Sequence, residues 1–254
     1  MIEYNVTING IEVNARYSER AVNEIFVPYL EKLTELQRQK GRRILAMLAA
    51  PPGAGKSTLL SFLSRLSLEH EGLERIQVIG MDGFHRRQGY LLSHSVLQNG
   101  NEIPMVKIKG APITFDLDRL IQAVRKVADG EICGWPVYER RLHNPVENAV
   151  TIDSRIVLLE GNYLLLNENG WRELRKYADY TVFIRADEAM LRARLIDRRI
   201  KTGVDEASAI QFVDFSDMPN VRICLEKSAP ADLQLSLDDT GDYRIISSRK
   251  ESEI

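Results

Sequence analysis

The sequence predicts an α/β fold in three layers, with a mostly parallel central sheet covered by helices on both faces. Three observations predict it. Short apolar runs recur at residues 43–50, 76–81, 156–159 and 181–184, each about the length of a buried strand. Helical patterns separate or follow them, at 57–68, 116–128, 169–177 and 187–200. The first run passes through a loop of small residues straight into the first of those helices, which is how a βα unit begins.

Ile2, Tyr4, Val6 and Ile8 alternate with other residues, Asn9-Gly10 follows, and Ile11, Val13 and Ala15 resume the alternation. Period-two alternation around Asn-Gly predicts an N-terminal β-hairpin, because both turn residues accept positive φ. Ser18 predicts the cap of a helix reaching about residue 40, bent near Pro28. Residues 205–215 read as a further helix, and ADLQLSLDDTGDYRIIS (231–247) as a C-terminal hairpin. Residues 84–115 carry little regular pattern and several polar residues, which predicts an active-site cover. The chain thus divides into a hairpin and helix over 1–42, appended to a core domain over 43–254.

Hydrophobic residues make up 44% and charged residues 28%, ordinary for a globular chain. A net charge of -2 argues against a nucleic-acid partner, which usually demands a basic excess. Cys133 and Cys224 are far apart and form no metal-ligand spacing, so both read as reduced residues. No run approaches the roughly 18 apolar residues of a membrane span, and MIEYNVTING lacks a basic-then-apolar leader pattern. The expectation is a cytoplasmic protein with no membrane partner.

LAAPPGAGKSTLL (48–60) carries the chemistry. A helix N-terminus leaves backbone N–H groups unpaired and partly positive. A loop of small residues lets several of them converge on one anion. Gly53, Ala54 and Gly55 supply the close approach, Lys56 a full charge for the β/γ-phosphates, and Ser57 a hydroxyl for Mg²⁺. With Thr58 these are the candidate nucleotide-binding residues. Pro51 and Pro52 cannot donate and stiffen the entrance. This is a P-loop with one departure: Ala50 stands where the pattern has glycine, which demands an ordinary φ there. The fold class becomes a three-layer P-loop NTPase/kinase fold with N-terminal and C-terminal hairpins. No Asn-Lys-x-Asp or Leu-Ser-Gly-Gly-Gln motif is present, so GTPases and ABC ATPases are disfavoured.

In a parallel sheet the C-terminal strand ends share one edge, where ligands bind. The run 76–81 ends in Asp82-Gly83-Phe84-His85, and the run 156–159 in Glu160-Gly161-Asn162-Tyr163. Both carboxylates belong near the phosphate loop. One can hold Mg²⁺ and the other can take the proton of an attacking hydroxyl. Turn capping is the alternative job for either.

MDGFHRRQGYLL, KGAPITFDLDRL, WPVYERRLHNPVENA and EGNYLLL then point further. In this order they resemble the phosphoribulokinase/uridine kinase/pantothenate kinase group of P-loop kinases, and within it a bacterial subgroup of the YggC type. The likeness covers roughly 43–232 and is not specific for the phosphate acceptor. It implies ATP and Mg²⁺ as ligands and Asp82 as general base. It implies Lys56 and Ser57 on the phosphates and Mg²⁺, and Glu160 near metal and acceptor. Tyr138 and Arg140 fall in the acceptor-facing segment, and Arg194 and Arg198 in a lid that closes over ATP.

Arg194 and Arg198 are four apart and share a helix face, with Leu191, Leu195 and Ile200 for a buried face opposite. A solvated basic face is the plain alternative. His85 is a candidate for an acceptor hydroxyl, Lys109 for the acceptor or a phosphate, and Asn162 for the acceptor. Phe84 and Trp135 either stack on a ring or simply pack. The predicted function is transfer of the ATP γ-phosphoryl group to a hydroxyl of a sugar, nucleoside or related polar metabolite. The competing reading is a nucleotide-dependent regulatory or binding protein with no small-molecule acceptor. The N-terminal segment is the candidate interface for a homodimer.

Overall fold

The computed structural model describes every residue except Asn9, Asn99, Asn169 and 249–254. At the N-terminus, β1 (Ile2–Ile8) and β2 (Ile11–Tyr17) pair antiparallel with Ile8 opposite Ile11. The predicted turn is therefore two residues long; Gly10 has a φ of 80°, and Asn9 lies outside the described residues. Ser18 caps α1 (Glu19–Ala21), accepting the Ala21 N–H at 2.9 Å. A π-turn over Val22–Phe26 follows, then α2 (Val27–Lys40). The bend predicted at Pro28 is this π-turn. Proline lacks the N–H and its ring crowds the carbonyl four residues back, so the helix widens just before it. The same device recurs at Val213–Asp217, immediately ahead of Pro219.

From there strands and helices alternate. β3 (Ile44–Ala49) leads to α3 (Lys56–Glu69), then β4 (Ile76–Gly80), α4 (Gln88–Ser93), a hairpin of β5 (Ser95–Gln98) and β6 (Asn101–Pro104), and α5 (Leu117–Ala128). A second hairpin, β7 (Cys133–Glu139) and β8 (Asn144–Ile152), precedes β9 (Ile156–Gly161) and β10 (Tyr180–Ala186). The chain closes with α6 (Glu188–Lys201), α7 (Glu206–Phe212), α8 (Met218–Lys227), β11 (Leu233–Leu237) and β12 (Tyr243–Ser248).

The central sheet has six strands in the order β12-β11-β10-β3-β9-β4, and only β12 runs antiparallel to its neighbour. The C-terminal hairpin is thus part of this sheet: β11 adds to β10 in parallel and β12 closes the edge. The N-terminal hairpin remains a separate two-stranded sheet. β3 is buried along its whole length, because Ile44, Ala46 and Leu48 enter one core while Leu45, Met47 and Ala49 enter the other.

The first core is shared with residues 1–42. The Tyr4 and Ser61 hydroxyls meet at 2.6 Å, and Tyr17 stacks on Phe62 of α3 at 4.3 Å between centroids. The start of α1 also grips the far end of the chain: Ser18 Oγ donates to Asp242 Oδ1 at 2.7 Å, and Arg20 to Asp242 Oδ2 at 2.8 Å.

Four elements differ from expectation. The stretch 84–115 contains α4 and the β5–β6 hairpin besides two single 3₁₀ turns. Tyr138, Arg140, Arg141 and His143, whose Pro- and Asn-rich surroundings suggest a loop, lie instead in or at the turn of the β7–β8 hairpin, with Asn148 and His143 at positive φ. Residues 169–177 form a 3₁₀ helix over Trp171–Tyr177, with Asn169 outside the described residues. Ile200 is 41% exposed and takes no part in the buried face of α6, which is Leu191 and Leu195. Among the described residues no helix is long and apolar enough to cross a membrane.

Candidate active site

β3 delivers the chain to the C-terminal edge of the sheet and α3 leaves from it, so residues 50–55 turn there. Gly53 and Gly55 have φ values of 84° and 78°, which side chains rarely tolerate. Gly53 must also be bare, since a Cβ would stand 3.1 Å from Leu195 Cγ and 3.3 Å from the Leu191 carbonyl. Helix α6 therefore packs directly on the loop. Among the described residues only His143 and Asn148 are non-glycines with positive φ, so Ala50 has the ordinary φ its side chain requires.

Lys56, the first residue of α3, turns its ammonium across the loop. It donates to the carbonyls of Ala50 (3.0 Å) and Pro51 (3.2 Å) and to Asn162 Oδ1 (2.6 Å). Ser57 Oγ donates to Glu160 Oε1 at 2.8 Å. Thr58 follows, half-buried, in the same turn. Two strand ends, β3 and β9, are thus joined side chain to side chain at the loop. Burial raises the Glu160 carboxyl above its usual range; Asp82 adds to this, while Lys56 and the Ser57 hydrogen bond oppose it.

Register brings in the third strand end. β4 pairs with β9 so that Gly80 faces Glu160. Asp82 sits two residues further, in a 3₁₀ turn over Met81–Phe84, with its side chain exposed. The glycine after each carboxylate is a steric requirement. A Cβ at Gly83 would stand 2.0 Å from the Pro136 carbonyl oxygen, and one at Gly161 2.1 Å from Met81 Sδ. Gly83 thus lets the β7–β8 hairpin close over the turn that carries Asp82.

Within reach of the Asp82 charge lies a second set of groups. His85 is buried, stacked on Phe115 at 3.9 Å and edge-on to Tyr138 at 5.3 Å. Its Nδ1 has no hydrogen-bond partner. Burial holds the imidazole below its ordinary range; Lys109 and Arg140 add to this, and Asp82 and a backbone bond to Thr114 oppose it. Lys109 Nζ donates to Gln88 Oε1 (2.9 Å), Tyr138 Oη (2.5 Å) and the His143 carbonyl (3.2 Å), clasping two other cover segments. Burial lowers its ammonium. Burial raises the Tyr138 phenol, opposed by Arg140 and assisted by Asp82. Arg140 is exposed in the turn between β7 and β8.

The fold and this arrangement agree with what comparison shows. The profile of the phosphoribulokinase / uridine kinase family matches residues 45–233. The chain belongs to this family. It is 36% identical over 247 residues to the uncharacterized protein YggC of Escherichia coli (strain K12), covering 97% of this chain and all of that one. It is 27% identical over 206 residues to the pantothenate kinase of Enterococcus faecalis (strain ATCC 700802 / V583), covering 73% and 64%. A crystal structure from Silicibacter sp. TM1040, provisionally described as a fructose transport system kinase, superposes with a TM-score of 0.70 at 29% identity, covering 81% and 98%. The chain is accordingly a P-loop kinase, a phosphotransferase that uses ATP and a small-molecule alcohol acceptor.

Within this family frame the candidates sort unequally. Lys56 bonds to Asn162 and Ser57 to Glu160, and the Lys56 charge acts on Glu160 as well. Asp82, His85, Tyr138 and Arg198 form an electrostatic group, since the Asp82 charge acts on each of the other three. The Arg198 guanidinium is held below its ordinary range by desolvation, with Arg140 and Arg199 adding and Asp217 and Asp82 opposing. Arg194 turns elsewhere: its Nη2 lies 4.0 Å from the place of a Cβ on Gly241, in the β11–β12 turn. Arg192 and Arg199 are bridged to Asp214 and Asp217. Phe84 is 1% exposed and packs edge-on against Trp135, whose Nε1 donates to the Gly80 carbonyl, so both serve the core and neither offers a ring to a ligand. Sequence reasoning missed Gln88, which accepts from Lys109, and Asp217, which sits beside Arg198. Gln88 lies within the quoted MDGFHRRQGYLL segment; Asp217 has no local signal at all.

Proposed function

We propose that this kinase transfers the ATP γ-phosphoryl group to a hydroxyl of a sugar, nucleoside or related polar metabolite, with Asp82 as the general base. The observation that carries the reading is the position of Asp82. It is exposed, two residues past the Gly80 that faces Glu160, and its charge acts both on Glu160 of the Lys56–Ser57–Glu160–Asn162 group and on His85 and Tyr138 of the group that Lys109 joins. A phosphate donor on the first side and an alcohol on the second would meet at its carboxylate.

The backbone N–H groups from Gly53 onward and the Lys56 ammonium bind and orient the triphosphate. Lys56 exchanges its protein oxygens for phosphate oxygens as it does so. Asp82 accepts the proton of the acceptor hydroxyl as that oxygen attacks, a role in keeping with its exposure. His85 and Tyr138 orient the acceptor. Arg198 adds positive charge and excludes water on closure; Arg194 would join it only by swinging away from the β11–β12 turn that it faces here. Ser57 and Glu160 fit Mg²⁺: two hard oxygen donors lie 2.8 Å apart, and a divalent cation would offset the burial that disfavours the carboxylate's charge. When bound there, Mg²⁺ would neutralise phosphate charge.

The test is ATP turnover with Mg²⁺ against pooled sugars, nucleosides and vitamin precursors, with Asp82→Asn as control. Product from one pool, absent in the variant, supports the proposal. Retained function in Asp82→Asn alongside loss in Lys56→Ala would turn the reading toward a nucleotide-switched binding protein.

A further inference from the structure

We infer that the acceptor carries an oxyanion group, a phosphate ester or a carboxylate, remote from its accepting hydroxyl, and that Lys109 and Arg140 bind it. The inference rests on the kinase reading and narrows its acceptor.

The argument is one of charge left unanswered. Lys109 is half-buried, yet its ammonium meets only an amide oxygen, a phenol and a backbone carbonyl. A lysine taken out of water ordinarily finds a carboxylate. Arg140 and Arg198 likewise have no carboxylate within ion-pair distance among the described residues, although the same face carries acids. Those acids are engaged: Glu147 by Arg87 and Arg119, Glu139 by the Arg141 amide, and Asp217 by Arg199. That leaves Lys109, Arg140 and Arg198 without a carboxylate partner, and Arg140 disfavours the charge on Arg198. The P-loop does not need this excess, because it has its own lysine and its own helix terminus. Nor does a neutral alcohol. His85 adds a buried, unpartnered Nδ1 to the same group. Guanidinium and ammonium groups converging from the hairpin turn and the cover loop suit a group with several acceptor oxygens.

Lys109, from the loop ahead of α5, is held by two other segments, α4 through Gln88 and the β7–β8 hairpin through Tyr138 and His143. An anion drawn to it would therefore meet a site positioned before it arrives, with Arg140 free to swing in from the turn.

Two measurements test this. The first uses inorganic phosphate as probe on the full chain, with a non-hydrolysable ATP analogue and Mg²⁺ saturating the P-loop. Phosphate is expected to raise the Tm by roughly 2 °C or more, and the rise to disappear in Arg140→Ala and Lys109→Met but persist in Lys109→Arg. No rise, or one that both variants retain, overturns the inference whether or not any acceptor has been found. The second compares matched acceptors, a sugar with its phosphate ester and with the corresponding sugar acid. An anionic member is expected to exceed the neutral one in kcat/KM by about tenfold to a hundredfold, lost mainly through KM in Arg140→Ala. Which anionic member wins distinguishes phosphate from carboxylate. Equal or better turnover of the neutral sugar sinks the inference and leaves the kinase standing. Phosphate binding as predicted, with no acceptor of any kind phosphorylated, would instead sink the kinase reading.

Discussion

The two sides of Asp82 are built differently. The phosphate side is made of backbone: glycines at positive φ, a helix start, and strand ends aligned by a parallel register. The cover side is made of side chains from segments far apart in the chain, with Lys109 holding Gln88 and Tyr138 together. A backbone site can serve any nucleoside triphosphate, because every one presents the same phosphates. A side-chain site can be rebuilt by a few substitutions, which is how one fold serves unrelated acceptors.

The contrast can be broken most sharply at its centre. Asp82→Asn should lower kcat by about 10²–10⁴-fold, the range of a lost general base, while ATP affinity by calorimetry stays unchanged. Equal loss of ATP binding would place Asp82 on the phosphate side instead. Next in size is Phe62→Ala, which removes the ring on which Tyr17 stacks from the helix that begins at Lys56. It should cost about 3–5 kcal/mol in denaturant unfolding. Loss of the N-terminal segment in a separate, earlier transition would show that the segment is less coupled to the core than the packing implies.

Gly83→Ala sharpens the comparison at smaller scale. Its Cβ would meet the Pro136 backbone at 2.0 Å, so the β7–β8 hairpin must shift. A cost of roughly 1–3 kcal/mol is expected, with acceptor KM raised and ATP affinity held. The smallest effect belongs to the opposite end of the sheet. Asp179 is nearly buried, and burial alone would raise its carboxyl. Hydrogen bonds from Arg42, Lys40 and the Leu45 N–H outweigh that and hold it below the usual range. A depressed folded pKa stabilises fully above the unfolded value and loses that contribution as pH falls through the folded one. Asp179→Asn should cost about 1–2 kcal/mol at neutral pH, and its Tm gap to the native protein should close as pH drops below about 4.

The phosphate side was legible because its signals are local. Gly53, Gly55, Lys56 and Ser57 lie within five residues, and few residue types serve each place. Asp82 and Glu160 were legible at one remove, since a parallel sheet puts strand ends together whatever the intervening sequence. On the cover side the β7–β8 hairpin hid because His143 stands at positive φ in its turn, where glycine would have announced one. The β5–β6 hairpin did carry a signal that sequence reasoning missed, Gly100 following an asparagine, with a φ of 78°. Phe84 misled for a related reason. Its neighbours in sequence face the site, while its own ring turns inward against Trp135, and nothing local tells the two apart.

By itself the sequence determined the βα order, the loop that holds phosphate and the two carboxylates at the edge, because short-range spacing and strand direction suffice for these. Only the tertiary structure decided that the C-terminal strands join the main sheet, that Arg194 and Arg198 part company, and that Lys109 stands among neutral partners. Each of those depends on which distant segments meet, and hydrophobic burial, being without direction, sets such meetings through the whole core rather than through any one motif.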